Sequence, residues 1–516
     1  MGPYRAIVRR SVENLIRLRG TWTRSGNAPW LFFVFFYAVA ANIPYWIASS
    51  EFGFLREGWF CLEFAAIGIV ALFVPSFVAS ALLLAVIAAD LLLGICRTYY
   101  LSIEDCLAGA GLMQRIPHSR LLIAASVVLL ALLIGAAAAI LPASAIPRLD
   151  RMRAAACLIA FAVMCVSSDC AMYIRNTGGF NTLQGLMKGT DKVKPGFYSD
   201  LRLCRFLAAH LVKIERAERA LKESEGTGSS SPQPVPSATE RAVISAGVFA
   251  GNNEQDRPNL VIVLVESWGA ATDSVIRDAL IQPYLQPELE ARYEVMRGTV
   301  PFYGGTVAGE ARELCGTTIG YHLLNASPQE LGSCLPHRLA AVGYRTMAVH
   351  GSDGRVFNRQ AWYNTIGFQE MWFHDRFRQQ GLPDCLGMFI GTCDAAIANW
   401  IGNRLDSDDG APNFVHWTTL NSHLPVLTPS PISDGPPCDL SPLLASQESL
   451  CSWFQLVGNV HRSVSRVAMS RLTRPTVFVI VGDHAPPFGD QLRSQFLKSE
   501  VPYVLLLPRK NQAGVR

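Results

Sequence analysis

The sequence has little net charge and no internal repeats. Its 516 residues include 45 Lys and Arg against 41 Asp and Glu, which gives a formal net charge of +4. Nucleic-acid-binding proteins usually carry a clear basic excess, so we expect no nucleic-acid partner. The first apolar run also lacks a clear small-residue cleavage site, so we expect no cleavable signal peptide.

Hydrophobic residues are abundant at 50%, and they are unevenly distributed along the chain. Buried helices of a soluble protein rarely come five at a time with this length and apolarity, so we favour membrane spans over a soluble helical core. The chain has five long apolar segments, and each of them approaches the ~20 apolar residues that are needed to cross a bilayer. We therefore predict an α-helical membrane domain over residues 1–174. Its five predicted spans are 30–49, 59–76, 78–96, 121–141 and 154–174.

Arginine residues indicate the orientation of these spans. Residues 1–28 carry six arginines against one acidic residue, Glu13, and the loop between spans four and five carries Arg148, Arg151 and Arg153. Five spans put both segments on the same side, which the positive-inside rule assigns to the cytoplasm. We therefore expect a multi-pass protein with a cytoplasmic N-terminus and everything after residue 174 on the outside.

Two acidic residues, Asp90 and Asp169, lie in or near the spans. Acidic residues inside a membrane are functional candidates. The sequence assigns neither of them a role.

Cysteine usage agrees with export of the second half of the chain. An even number of cysteines in an exported domain suggests disulfides, and these residues fall into three neighbouring pairs. We therefore predict pairing between neighbours, with free buried thiols as the alternative and with Cys204 left over. The six cysteines are Cys315, Cys334, Cys385, Cys393, Cys438 and Cys451.

The segment 175–256 is predicted to be a juxtamembrane helix followed by a linker. Its first part has helical apolar spacing with interspersed Arg and Lys, which suits either a helix on the membrane surface or one packed on the next domain. Residues 224–240, SEGTGSSSPQPVPSATE, are rich in Ser, Pro and Gly and indicate a flexible linker.

From residue 257 to 516, short apolar runs alternate with helical stretches. Continuous apolar runs are typical of strands covered on both faces, so we predict an α/β domain with a mainly parallel sheet. Ligands of such sheets bind at the carboxyl ends of the strands. The predicted strands are NLVIVLV, YRTMAVH, NFVHWTTL, TVFVIVG and YVLLL.

Polar side chains lie at the ends of these runs. Glu266 follows NLVIVLV, Asp483 and His484 follow TVFVIVG, His423 follows NFVHWTTLNS, and His350 ends YRTMAVH. Each residue alone is more typical of an ordinary loop. Carboxylates and histidines that converge on one sheet edge indicate a divalent metal site with a further position for a nucleophile or water.

Five short motifs occur in order in this region: ESWG, GGTVAGE, HGSDGRVFNR, NSHLP and GDH. Together they resemble the sulfatase-like branch of the alkaline phosphatase superfamily. More narrowly, they resemble membrane-anchored phosphoglycerol and phosphoethanolamine transferases of the lipoteichoic acid synthase type. The resemblance covers residues 257 to about 510, and that group also has five spans before its catalytic domain.

The resemblance implies a single divalent metal ion, zinc or manganese, with magnesium as an alternative. Glu266, Asp483 and His484 match its protein ligands, and Thr306 matches the nucleophile, which also coordinates the metal. A metal lowers the pKa of a threonine hydroxyl and activates it for attack. We therefore expect a phosphothreonine intermediate, although a helix N-cap is a common alternative role for threonine.

The remaining matched residues concern the substrate. His423 and Arg359 match residues that hold the phosphate or assist the leaving group, and His350 and Phe357 lie in the same substrate-binding segment. A guanidinium can bind two phosphate oxygens at once, while a surface salt bridge is the alternative role for Arg359. The histidine can protonate the departing alkoxide and later deprotonate the acceptor.

The resemblance also implies the partners and the location. The donor is expected to be a membrane phospholipid and the acceptor an envelope glycan or lipid, at the bacterial cytoplasmic membrane with a periplasmic or extracellular catalytic domain. A phosphodiesterase or sulfuric ester hydrolase of the same fold, with water as acceptor, is the alternative, and a degenerate scaffold is a third reading. DHAPPFG at residues 483–489 differs from the D-H-G-E of many phosphoethanolamine transferases, which leaves the head group open.

The stretch CLPHR at residues 334–338 matches the core of the motif that sulfatases convert to formylglycine. A sulfatase nucleophile is expected at the helix start that Thr306 already occupies, and Cys334 comes a whole helix later. We therefore interpret Cys334 as a disulfide partner of Cys315. Pro336 suits the first turn of a short helix.

Overall fold

The structure is a computed structural model of the chain, whose described residues fall into two compact units. The first contains the described residues up to 200, and the second contains those from 236 onward. The described ranges are 29–52, 58–98, 118–140, 146–177, 199–200, 236–250, 257–317, 331–385, 389, 391–406, 410–424, 436–488 and 490–509. The predicted juxtamembrane helix and most of the linker lie outside these ranges, as does Cys204.

Apolar helices and one short parallel strand pair build the first unit. Its helices are α1 Pro29–Ala38, α2 Ile43–Phe52, α3 Leu62–Ala71, α4 Ser76–Thr98, α5 His118–Ile140 and α6 Arg148–Thr177. Its strands are β1 Phe60–Cys61 and β2 Ser199–Asp200.

Three segments among the described residues are long and apolar enough to cross a membrane: Pro29–Phe52, Ser76–Cys96 and Leu122–Ile140. The predicted span 59–76 corresponds to α3, a helix of ten residues. Ten residues rise only about 15 Å, half of a bilayer core. The predicted span 154–174 lies within α6, which is not one of the three segments. The five-span topology is therefore not confirmed and stays a prediction.

The outer surface of this first unit is apolar. Phe73, Phe77 and Leu122 are 78%, 70% and 69% exposed, whereas the acidic side chain of Asp90 is buried. A water-soluble unit of this size would bury its large apolar side chains, so this surface suits contact with lipid.

A seven-stranded mixed sheet forms the centre of the second unit. The strand order is β4-β11-β10-β3-β9-β5-β6. The pairs β10–β3, β3–β9, β9–β5 and β5–β6 are parallel, and β11 runs antiparallel to both of its neighbours. The strands are β3 Asn259–Val265, β4 Tyr293–Pro301, β5 Arg345–His350, β6 Glu370–Trp372, β9 Asn413–Thr418, β10 Thr476–Gly482 and β11 Glu500–Pro508.

The predicted mainly parallel sheet is confirmed, and all five predicted strands are present. Every residue of β3, β9 and β10 is buried, as their continuous apolar sequences indicate. Strands β4 and β6 were not among the predicted strands. Both lie at the edges of the sheet, where exposed and partly buried side chains replace the apolar run.

Helices surround this sheet, and a two-stranded antiparallel pair, β7 Asp384–Cys385 with β8 Gly391–Thr392, lies beside it. Helix α7 begins after Ser237, whose hydroxyl accepts the amide of Glu240. Its residues Ala238 and Ala242 are part of the same hydrophobic core as the sheet. The helices are α7 Ala238–Ser245, α8 Ser274–Ile281, α9 Pro287–Glu290, α10 Thr306–Cys315, α11 Leu335–Ala340, α12 Arg359–Thr365, α13 His374–Gln379, α14 Asp394–Asp406, α15 Pro442–Ser446, α16 Glu448–Met469 and α17 Asp490–Arg493.

Three disulfides confirm the predicted pairing of neighbouring cysteines. They join Cys315 to Cys334, Cys385 to Cys393 and Cys438 to Cys451. The first bond ties the end of α10 to the start of α11, where Cys334 precedes the helix and Pro336 lies in its first turn.

Candidate active site

Two acidic side chains and a histidine meet where β3 and β10 end. These strands are parallel neighbours, with Val265 paired to Gly482, so the next residues, Glu266 and Asp483, leave the sheet side by side. Glu266, Asp483 and His484 are all buried, and each offers a ligand atom within 4.8 Å of the others. The strand register thus produces the convergence that the sequence predicts.

Ser267 links the two carboxylates. Its amide donates to Asp483 Oδ1 at 2.8 Å, and its hydroxyl donates to Glu266 Oε1 at 2.8 Å. Ser267 makes these two bonds with a left-handed backbone, with φ of 59°, which is unfavourable for a residue other than glycine. Trp453 Nε1 donates to the Ser267 carbonyl at 2.8 Å and helps to hold this conformation. Such strain is typical of functional sites.

Thr306 is the first residue of α10, directly after Gly305, as the sequence predicts. Its hydroxyl donates to Glu266 Oε2 at 3.0 Å. The helix approaches the second carboxylate closely, because a β-carbon at Gly309 would lie 3.0 Å from Asp483 Cβ. Glycine therefore allows the helix that carries Thr306 to pack directly against the end of β10.

Three histidines around the site use the same nitrogen to bond the backbone. The Nδ1 atoms of His484, His423 and His350 lie 2.9, 2.7 and 2.9 Å from the carbonyl oxygens of Ala485, Leu424 and Thr418, respectively. A carbonyl oxygen only accepts, so each Nδ1 carries a proton and Nε2 is the basic nitrogen of the neutral ring. His484 Nε2 lies 3.4 Å from both Glu266 Oε1 and Asp483 Oδ2.

Charge is unbalanced at this cluster. Burial and the charge of Glu266 raise the pKa of Asp483 to about 7. Burial also acts to raise the pKa of Glu266, but His423 and His484 outweigh it and lower that pKa. Burial alone would lower the pKa of His484, yet the two carboxylates raise it to about 9. One imidazole thus serves two buried carboxylates.

This donor set fits a divalent metal ion. Asp483 Oδ2 is buried without a hydrogen-bond partner, although Asp483 Oδ1 accepts the amides of Ser267 and His484. Carboxylate oxygens and an imidazole nitrogen are typical ligands of zinc and of similar cations. A dication here would offset the excess negative charge and give the orphaned oxygen a partner.

His423 lies in the loop after β9, within electrostatic range of Glu266. Burial, partly opposed by the Glu266 charge, lowers the pKa of His423. Its ring contacts Phe389, with the ring centroids 4.8 Å apart. Asp394 fixes the loop, because its carboxylate accepts the amides of Leu420 and Asn421 at distances of 2.7–3.1 Å.

Arg359 forms a buried ion pair and not the surface salt bridge that was its alternative role. Its Nε lies 2.9 Å from Glu310 Oε1, and its guanidinium lies 5.2 Å from the ring of Phe357. Phe357 and Asn358 both have left-handed backbones, with φ of 54° and 51°. The strained segment before Arg359 is therefore held against its preference.

His350 is close enough to both Glu266 and the Glu310–Arg359 pair to feel their charges. Burial and the positive charge of Arg359 lower its pKa to about 3, while Glu310 and Glu266 act in the opposite direction. It is therefore neutral at physiological pH. Its ring is within electrostatic range of Glu266 on one side and of Arg359 on the other.

Several residues that organise this site were not predicted from the sequence. Ser267 and Glu310 occur inside the quoted motifs, but nothing in the motifs indicates their partners. Trp453 and Asp394 lie far along the chain from the groups that they hold, and no sequence signal identified them. Ser422 and Thr419 also bond the backbone of Glu266.

Comparison with solved structures gives remote similarities. Lipoteichoic acid synthase LtaP from Listeria monocytogenes is 16% identical, with a TM-score of 0.36, over 54% of this chain and 73% of that chain. Streptococcus pyogenes phosphoglycerol transferase GacH is 15% identical, with a TM-score of 0.38, over 54% and 78%. The periplasmic domain of EptC from Escherichia coli, in complex with Zn, is 14% identical, with a TM-score of 0.33, over 51% and 75%.

No curated protein sequence matches the chain. Residues 258–516, half of the chain, match the Sulfatase family. This range contains the mixed sheet and the cluster at the ends of β3 and β10. The chain therefore belongs to the sulfatase family.

Proposed function

We propose that the protein transfers a phosphoglycerol or phosphoethanolamine group from a membrane phospholipid to an envelope glycan or lipid. The reaction depends on a divalent metal and passes through a phosphothreonine on Thr306. The observation that carries this proposal is the position of Thr306, at a helix N-terminus, with its hydroxyl 3.0 Å from Glu266 Oε2 in the three-ligand cluster.

Glu266, Asp483 and His484 would hold the metal, with Thr306 as a further ligand. The bound metal, zinc or manganese with magnesium as an alternative, would lower the pKa of the threonine hydroxyl and offset charge on the phosphate. The N-terminus of α10, a helix of ten residues, would direct its amides toward a phosphate group held beside Thr306. These two features favour phosphate chemistry at this position.

In the first step Thr306 Oγ1 attacks phosphorus as the alkoxide that a bound metal would stabilise, its proton having passed to solvent, and the bond from phosphorus to the diacylglycerol oxygen breaks. His423, protonated at Nε2 for this step, donates that proton to the diacylglycerol oxygen, and Arg359 holds the non-bridging phosphate oxygens. In the second step His423 accepts the proton of the acceptor hydroxyl, whose oxygen attacks phosphorus and releases Thr306. His350 and Phe357 shape the substrate-binding segment that precedes Arg359.

Membrane anchoring supports a lipid donor. The three apolar segments of the first unit suit a protein held in the membrane that contains its substrate. We propose the bacterial cytoplasmic membrane, with the N-terminus in the cytoplasm and residues 257–516 as the catalytic domain outside. A phospholipid donor suits that side of the membrane because ATP is absent there.

Hydrolysis is a second candidate function, which the Sulfatase family match favours. The same residues would act on a phosphodiester or a sulfate ester, and water would replace the acceptor hydroxyl in the second step. The first step is unchanged, so the two candidates differ only in where the product appears. Labelled phospholipid incubated with envelope glycan separates them: transferase activity labels the glycan, and hydrolase activity releases label into solution.

Mass spectrometry of the full-length protein in detergent micelles tests the covalent step. After exposure to phospholipid and metal, we expect added mass on Thr306, and its value would identify the transferred group. Thr306→Ala should abolish this mass. Thr299→Ala is a matched control, since Thr299 also donates to a glutamate, Glu500, at 2.7 Å but on the outer edge of the sheet. Full activity of metal-loaded Thr306→Ala would refute the proposal.

A further inference from the structure

Glu310 lies one helical turn after Thr306 on α10, and its side chain is fully buried. Three donors converge on its Oε1 atom: Arg359 Nε at 2.9 Å, the Tyr363 hydroxyl at 2.5 Å and the Thr418 hydroxyl at 3.0 Å. Its Oε2 atom is buried without a hydrogen-bond partner. One oxygen therefore holds all of the polar contacts of this carboxylate.

The charge of Glu310 is maintained despite burial. Burial alone would raise the pKa of this carboxyl, but the positive charge of Arg359 outweighs it and the pKa is lowered. A buried carboxylate is costly unless it is paired and hydrogen-bonded. Glu310 and Arg359 therefore depend on each other for charge balance, and the guanidinium cannot move away without leaving a buried charge.

The elements that Glu310 joins are those that build the site. Helix α10 starts at Thr306, helix α12 carries Arg359 and Tyr363, and Thr418 ends β9. The Thr418 carbonyl also accepts Nδ1 of His350. The Glu310 carboxylate thus fixes α10, which carries Thr306, relative to Arg359 on α12 and to the end of β9.

We propose that Glu310 is a positioning residue, which sets the place of the Arg359 guanidinium relative to Thr306 and thereby the affinity of the site for a phosphate group. This proposal rests on the proposed function, in which Arg359 holds the transferred phosphate. Glu310 acts through Arg359 and does not itself touch the substrate.

A second buried ion pair on the same helix provides a matched control. Glu313 Oε1 lies 2.6 Å from Arg312 Nε, and both side chains are fully buried. Glu313 Oε2 accepts the amide and hydroxyl of Thr239, which ties α10 to α7. This pair has the same chemistry and burial as Glu310 with Arg359, but Glu313 bonds α7, and Arg312 bonds the carbonyls of Pro301 and Gly482 at the ends of β4 and β10.

The test measures binding of inorganic phosphate to the full-length, metal-loaded protein by calorimetry. Glu310→Gln keeps an acceptor oxygen but removes the charge, so we expect at least a tenfold loss of phosphate affinity, similar to that of Arg359→Lys. The double variant should bind no more weakly than the weaker single variant, because both changes act through one guanidinium. Glu313→Gln should lower the melting temperature but change phosphate affinity less than twofold.

Glu310→Asp provides a second variant in case Glu310→Gln folds poorly. It keeps the charge but withdraws the carboxylate by one methylene, so it too should weaken phosphate binding while remaining folded. Wild-type phosphate affinity in both Glu310 variants, or additive losses in the double variant, would overturn the proposal.

Failure of this proposal is distinguishable from failure of the proposed function. If Thr306 acquires the transferred group but the Glu310 variants bind phosphate normally, only the positioning role is wrong. If Thr306 never acquires mass yet phosphate affinity falls as described, the positioning role stands and the transfer reaction is wrong.

Discussion

The two sides of the candidate site balance their charges differently. On one side, Glu266 and Asp483 share a single imidazole, and burial together with the charge of Glu266 raises the pKa of Asp483 to about 7. On the other side, Glu310 is matched by Arg359, and its pKa is lowered. The first side is suited to receive a cation, whereas the second is complete without one.

The largest expected effect comes from removing a ligand on the unbalanced side. Asp483→Asn keeps the Oδ1 acceptor for Ser267 and His484 but removes one charge, so we expect loss of bound metal and at least a ~10³-fold loss of activity. Elemental analysis and turnover measure the two effects. A chelator should inactivate the wild type equally, and full metal content in active Asp483→Asn would contradict the comparison.

Breaking the balanced side should cost stability and leave the metal in place. Arg359→Gln strands the buried charge of Glu310, so we expect the free energy of unfolding to fall by about 3–5 kcal/mol. Chemical denaturation measures this loss, and metal content should stay unchanged. Arg359→Gln combined with Glu310→Gln should recover most of the stability, because no buried charge is then left unpaired. Metal loss in Arg359→Gln would mean that the two sides are coupled.

The Cys315–Cys334 bond lies at the end of α10 opposite Thr306, so it should affect neither side directly. Replacing both cysteines with serine should lower the free energy of unfolding by about 3 kcal/mol, since a separation of 19 residues is released. Turnover of the folded, metal-loaded variant should remain. The Cys385–Cys393 bond, with a separation of 8, should contribute somewhat less. Complete inactivity of the folded Cys315/Cys334 variant would reopen a chemical role for Cys334.

The most gradual effect is a pH dependence of the metal-free protein, which is spread over several pH units. The folded-state pKa values of Asp483 and His484 are raised, to about 7 and about 9. Both groups therefore contribute stability at low pH that is lost as pH rises, over about pH 4–7 for Asp483 and about pH 6.5–9 for His484.

Thermal melts of chelated protein at several pH values test this dependence. The slope attributable to each group is at most about 1.4 kcal/mol per pH unit. The difference in pH dependence between the wild type and Asp483→Asn isolates the contribution of the Glu266, Asp483 and His484 cluster. Bound metal should remove this difference. An identical pH profile for the two proteins would show that the carboxylates do not compete for one proton.

Much of the second unit follows from local sequence patterns. The apolar runs of β3, β5, β9, β10 and β11 predict strands, and polar residues directly after β3 and β10 predict that Glu266 and Asp483 meet. The edge strands β4 and β6 were not predicted, because their side chains are partly exposed and their sequences contain no continuous apolar run. In the first unit, hydropathy identified apolar segments but did not establish how many cross the membrane.

The sequence by itself determined which residues lie at the carboxyl ends of the strands, because strand identity and the parallel arrangement follow from short-range apolar patterns. Only the tertiary structure decided which charges are paired. Glu310 and Arg359 are 49 positions apart, and nothing in their local sequence distinguishes a buried partner from a solvated one. The pairing of these two charges depends on which helices pack beside the same strand ends. That packing is decided only when the whole core forms.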